Sequence, residues 1–178
     1  MLIQKMNLQE CREFLGRVGM GRLGCSRENQ PYVIPIYFAY EGDRLYGFAT
    51  LGQKIEWMRS NPLVCVEADE VFANNNWRSV VVVGRFEELT DKPESDEDRR
   101  QAQDTLEKRA MWWQTAYASS QPRRTPKPAL PIFYCIHIDD LSGNKALPDT
   151  VEAPFAQKLR RPVRPVVVTP IDHRNVEV

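Results

Sequence analysis

The chain has 178 residues, the length of one domain with a buried core. Apolar residues make up 42% and charged residues 27%, and 24 Lys plus Arg balance 24 Asp plus Glu, so the formal net charge is zero. That balance argues against a protein that coats nucleic acid with positive charge, and favours self-association or a small ligand.

Residues 7–18, NLQECREFLGRV, predict an amphipathic helix: Asn7 and Glu10 have capping-box spacing, and Leu8, Cys11, Leu15 and Val18 fall on one face. Gly19 and Gly21 stop it, GRLGCS (21–26) begins a strand, and ENQP (28–31) is a turn. YVIPIYFAY (32–40) is a strand apolar at nearly every position, which predicts cover on both faces. Pro35 inside it cannot donate to a ladder, so it belongs at an edge, a bulge or a strand opened by a ligand. EGD (41–43) is a hairpin turn and RLYGFA (44–49) the returning strand. TLGQKIEWMRS (50–60) predicts a short helix closed by Asn61-Pro62.

Strands follow at LVCVEA (63–68) and WRSVVVVGRFEE (77–88), with Gly84 as a bulge or bend. After the charged loop TDKPESDED, Ser95 and Asp98 introduce a helix from 96 to 118, with Ala102, Leu106, Ala110, Trp113 and Tyr117 at helical spacing. QPRRTPKPALP (121–131) is a connection, and IFYCIHID (132–139) is the last strand. Residues 146–178 hold five prolines and several arginines, the composition of a tail rather than a second domain, which leaves 1–145 as the domain. The tally is six strands and three helices. Hairpin-connected strands avoid bare edges by closing, so the expected fold is mainly β, an antiparallel barrel with peripheral helices.

Cys11, Cys25, Cys65 and Cys135 form no CxxC pair. The start MLIQKMNLQE lacks a signal-peptide pattern and no apolar run is long enough to span a membrane, so a cytoplasmic location is expected. Chemistry concentrates at the junction YGFATLGQKIEWMRSNP (46–62). A helix start offers free N–H groups and positive dipole; Thr50 adds a hydroxyl, Gly52 close backbone approach and Lys54 a full charge, together a monophosphate cradle. The same residues also suit an ordinary helix cap with an exposed lysine. Trp77 and Ser79 share one face of their strand, as a site wall or as core with an incidental serine. Cys135 and His137 share a face, but the other histidine, His173, lies in the tail, so no metal site is expected.

Taken in order, GRLGCS…PYVIPIYFAYEGDRLYGFATLGQKIEWMRSNPLVCVEADEV…WRSVVVVGRFEEL and the closing IFYCIHIDDLSGNKA resemble the FMN-binding split β-barrel proteins related to pyridoxamine 5′-phosphate oxidase, and among them the small flavoproteins that include the nitroimidazole-resistance type. The resemblance covers residues 7–145 and implies a six-stranded antiparallel split β-barrel, FMN as cofactor, and a homodimer with two sites at the subunit interface. By position it implies that Thr50, Gln53 and Lys54 hold the phosphate, beside the Gly52 of the cradle. Val33, Ile34, Pro35 and Ile36 would lie along the isoalloxazine, with Ser79 and Val80 closing against the ring. It implies an FMN-dependent oxidoreductase using a small-molecule substrate or electron donor, with no catalytic residue singled out. The alternatives are a flavin-binding or storage protein without turnover, a cofactor-free interaction module, and a haem or deazaflavin binder. Unlike pyridoxamine-phosphate oxidase proper, PYVIPIYF carries no basic residue.

Overall fold

The computed structural model describes residues 1–109 and 131–148. The chain divides into a compact unit, Met1–Pro148, and a second stretch, Asp149–Val178, which lies outside the described residues, as do the connection 121–130 and Trp112 and Trp113.

Strand β1 (Leu2–Lys5) leads into helix α1 (Leu8–Arg17). Both halves of the capping box form: the Glu10 N–H donates to Asn7 Oδ1 at 2.9 Å, and the Asn7 N–H to Glu10 Oε2 at 2.8 Å. The buried residues are Cys11, Phe14 and Leu15, while Leu8 is 58% exposed, contrary to expectation. Cys11, Phe14, Leu15 and Val18 make the tighter i, i+3, i+4, i+7 stripe, and Leu8 falls outside it.

Strands β2 (Met20–Arg27) and β3 (Gln30–Glu41) form a hairpin whose turn residues, Glu28 and Asn29, both have left-handed φ, 52° and 64°. Gly42, with φ 63°, turns β3 into β4 (Arg44–Ala49). Helix α2 (Gln53–Ser60) follows, then β5 (Leu63–Ala73) and β6 (Asn76–Leu89). A single 3₁₀ turn at Pro93–Ser95 precedes α3 (Asp96–Glu107), whose first turn carries Asp96, Glu97 and Asp98. Strand β7 (Ile132–Leu147) completes the unit.

All pairings are antiparallel, and the ring runs β7-β4-β3-β2-β5-β6 and back to β7. The barrel itself therefore has six strands. The total is seven rather than six, because β1 adds to the far end of β7, Leu2 opposite Leu147. β7 extends well past the expected 139. Its first half lies between β4 and β6, and its second half between β6 and β1. The bulge expected at Gly84 is present as a register shift, Val83 facing Asp140 and Gly84 facing Ile138. A Cβ on Gly84 would stand 2.2 Å from the His137 carbonyl oxygen, so only glycine lets the strands approach there.

Two cores result. Leu23, Ile36, Phe38, Leu45, Val66, Val80, Val82, Tyr134 and Ile136 fill the barrel, closed by α1 and α2. Outside it, Ala102 and Leu106 of α3 pack on Ala39, Tyr46, Leu89 and Cys135. α3 ends at Glu107 rather than running to 118, and Ala110, Trp113 and Tyr117 lie outside the described residues. Just past its end, Arg109 donates to the Gly16 carbonyl at 2.8 Å and to that of Val18, tying α3 to the last turn of α1. Among the described residues no helix is long and apolar enough to cross a membrane.

Candidate functional site

The barrel parts between β3 and β4. β3 pairs with β2 along Gln30–Tyr37, but with β4 only from Phe38, opposite Gly47, to Glu41, opposite Arg44. Extending that register would set Ala49 opposite Ile36 and Thr50 opposite Pro35, where no pairing exists. On that side the edge of β3 from Val33 to Ile36 has no strand partner among the described residues. Pro35, with no N–H to give, sits in the middle of it. The chain leaving β4 at this gap runs directly into Thr50, Gly52, Gln53 and Lys54.

Helix α2 is held firmly at the gap. Ile55, Trp57 and Met58 are buried, and the Trp57 ring packs on Tyr32 of β3 with centroids 5.4 Å apart. Asn61 Nδ2 donates to the Ser26 carbonyl at 3.1 Å, and Arg59 makes a bidentate pair with Glu88 at 2.6 and 2.8 Å. Among the described residues the other end of α2 carries no such partners. Gly52 at its N-cap provides no side-chain bond, so among the described residues no side-chain cap satisfies the first-turn N–H groups. Lys54 is half-buried, and burial holds its ammonium below the ordinary lysine value. Among the described residues it has no ion-pair partner, whereas Arg59 one turn and a half later is fully engaged. A half-buried cation beside unsatisfied N–H groups is the donor set that a phosphate monoester or diester requires.

The wall residues divide by face. Val33 is 65% exposed and Pro35 is exposed; Ile34 is half-buried against the barrel core, and Ile36 is 4% exposed, inside the barrel. A ligand at this edge would meet Val33 and Pro35, whose backbone groups face the gap, while those of Ile34 and Ile36 face β2. The expectation that both faces of β3 are covered fails for one protomer, where the odd positions point outward, Tyr37 at 42% exposure.

Ser79 lies elsewhere. Its hydroxyl donates to Glu67 Oε1 at 2.8 Å, and Glu67 and Asp69 both bind Arg22. With Trp77 and Asn144 these residues line a cavity of about 590 Å³. Val80 is fully buried on the opposite face of β6 and does not line that cavity. Trp77 and Ser79 line one wall, as their period-two spacing indicates; Asn144 and Arg22 joined them through pairing, Ser79 opposite Asn144, that no local pattern announces. None of Thr50, Gly52, Gln53 and Lys54 lines this cavity.

A six-stranded antiparallel barrel that opens beside an uncapped, cation-bearing helix start defines the split-barrel class. Residues 7–145 match the family model described as pyridoxamine 5′-phosphate oxidase, and the chain belongs to this family. A FAD-binding protein from Mesorhizobium loti is similar in structure, with a TM-score of 0.68 at 38% identity over 83% of this chain and 100% of that one. An uncharacterized protein from Rhizobium meliloti is 38% identical over 146 residues, 82% of this chain and 97% of its own length. A FAD binding protein from Mycobacterium smegmatis shares the fold, with a TM-score of 0.59 at 19% identity over 82% of this chain and 100% of that one.

Proposed function

We propose that the chain is a flavoprotein that binds FMN at the gap between β3 and β4, works as a homodimer and acts as an oxidoreductase. The observation that carries this reading is Lys54, a half-buried ammonium with no anion among the described residues, at the uncapped start of a clamped helix. A ligand phosphate supplies the missing counter-charge, with the Thr50 hydroxyl and the first-turn N–H groups of α2 as further donors. The unpaired β3 edge offers Val33 and Pro35 as apolar contacts, and the backbone carbonyls of the same two residues for a flat heteroaromatic ring. When bound, the flavin supplies hydride and single-electron transfer; the chain supplies position, hydrogen bonds and exclusion of water. FAD presents a phosphate at the same distance from its ring, and it is the cofactor named for the Mesorhizobium loti relative, so FAD is the second reading.

The dimer rests on two observations. Cradle and Ser79 cavity share no lining residue within one protomer, so if all these residues serve one ligand, Ser79 and Val80 must come from a second copy. The outer face of β3-β2-β5-β6 also carries an apolar row in register, Val33, Gly24, Cys65 and Val83, flanked by Leu63, with Val33 at 65% and Val83 at 45% exposure.

The test is the absorption spectrum of the purified chain, with the released chromophore identified by chromatography and the mass measured by light scattering. A bound flavin and twice the protomer mass are expected. A chain that carries no flavin and takes up neither FMN nor FAD overturns the reading, and a haem spectrum replaces it. Oxidation of NADH or NADPH with quinone or nitroaromatic acceptors separates an enzyme from a binding protein.

A further inference from the structure

On the outer face of the barrel, away from the β3–β4 gap, three ligand-type side chains meet. Cys135 and His137 are alternate residues of β7, and Glu87 of β6 lies directly opposite Cys135. Cys135 Sγ stands 3.4 Å from His137 Nε2 and 3.8 Å from the Glu87 carboxylate, and His137 Nε2 stands 2.5 Å from Glu87 Oε2. The shortage of ligands that argued against a metal site along the chain is removed by cross-strand pairing.

Both contacts of the imidazole fall on the same nitrogen, Nε2. A Cys–His–acid nucleophilic relay needs the thiol on one ring nitrogen and the carboxylate on the other, so this cluster is not one. Three ligand atoms converging on one point is instead the arrangement of a metal centre. In a tetrahedral zinc site the sulfur lies about 3.6 Å from the nitrogen and oxygen ligands, and those two lie about 3.4 Å apart. The two sulfur distances already bracket that value. The His–Glu pair must open by about 0.9 Å to reach it, which the Glu87 side chain, 50% exposed, is free to do by rotation.

The charges around the cluster point the same way. Arg44 is paired with Asp98 at 2.5 Å and Arg85 with Asp139 at 2.7 Å, so the nearby arginines are taken. Glu87 has only Cys135 and His137 as partners among the described residues. Cys135 presents its thiol to the cluster from beneath α3, where it packs against Ala102 and Leu106. A divalent cation would displace that thiol proton to solvent and gain a thiolate, while His137 would carry its remaining proton on Nδ1. His137 also borders an open cavity of about 760 Å³ with Arg44, Asp98 and Asp139, which leaves room for a water as fourth ligand.

We propose that Glu87, Cys135 and His137 form a mononuclear zinc-type site, with three protein ligands and a fourth position facing the cavity beside α3. The site is separate from the flavin reading and stands or falls independently of it.

The test titrates the chelator-stripped full chain with Co²⁺ and then Zn²⁺, recorded as difference spectra so that any bound flavin cancels. A cobalt–thiolate charge-transfer band at one equivalent, displaced by Zn²⁺ with a Kd tighter than about 10 µM, is expected. Glu87→Gln and His137→Ala, both partly exposed, should keep the fold by thermal melting and weaken metal binding at least about a hundredfold. Cys135→Ser should abolish the thiolate band, and Cys65→Ser, at an exposed thiol outside the cluster, should leave it intact. No band, weaker binding, or a band that survives Cys135→Ser or His137→Ala overturns the proposal.

Discussion

Replacing Lys54 by methionine keeps the length of the side chain and removes its charge, and it separates ligand binding from folding. A charge-assisted hydrogen bond is worth about 1.5–3 kcal/mol, so FMN should bind roughly ten- to 150-fold more weakly. Riboflavin, with no phosphate, should lose no more than about twofold. The flavin-free variant should meanwhile be more stable. Burial holds the Lys54 ammonium below the ordinary lysine value, so in the folded chain the charged form is the disfavoured one. Over the pH range between its lowered folded value and the ordinary one, the unfolded chain binds more protons, and stability rises with pH. Methionine removes that slope and should gain about 0.5–1 kcal/mol at neutral pH, a Tm increase of about 1–4 °C. FMN affinity of the wild type should fall as the pH climbs into the same range, because the phosphate needs the charged amine. Isothermal titration with FMN and riboflavin, and melts of the flavin-free proteins, check all of this. Equal losses for the two ligands, or a variant less stable than the parent, refute the cradle.

The Tyr134 hydroxyl is buried without a hydrogen-bond partner among the described residues, so Tyr134→Phe should raise the Tm by about 2–4 °C; a loss of more than about 1 kcal/mol in thermal melts would show that the hydroxyl is engaged. Glu28 holds a φ of 52°, a conformation that asparagine tolerates better, and Glu28→Asn should move the urea midpoint upward by about 0.5–1 kcal/mol of stability, a downward shift refuting the turn strain. Val83→Glu places a charge in the exposed apolar row and should cost one protomer less than about 0.5 kcal/mol. It should nevertheless shift the light-scattering mass from dimer to protomer, and an unchanged mass would rule this face out as the interface.

Local chemistry was legible where the residue type has few uses. Asn7 with Glu10, Gly42 at a left-handed turn, Gly84 at a bulge and Asn61-Pro62 at a helix end each sit as their spacing indicated. What escaped was structure made by partners. β1 is exposed at all four positions and has no periodicity of its own; it exists because β7 offers it an edge. The far half of β7, through Asp139, Asp140, Ser142 and Gly143, reads as turn chemistry, yet it is strand because β6 pairs with it along nearly its whole length. Leu8 looked like core because it is leucine, while Phe14 lies on the stripe that faces the barrel.

The same division governs the two clusters of functional side chains. Lys54, Gly52 and Thr50 lie within five residues, so one helix start displays them to a reader of the sequence. Glu87 and Cys135 are 48 residues apart and become neighbours only through the register of β6 with β7. The zero net charge gains a structural meaning from this. Arg17 with Glu70, Arg22 with Glu67, Arg44 with Asp98, Arg59 with Glu88 and Arg85 with Asp139 join different elements across the barrel surface, cancelling charge where they stand. Such exposed pairs add little stability, but each leaves little net charge where it stands. Among the described residues a lysine half-buried without an ion-pair partner, and a carboxylate whose only partners are a thiol and an imidazole, are the places where an added anion and an added cation gain most.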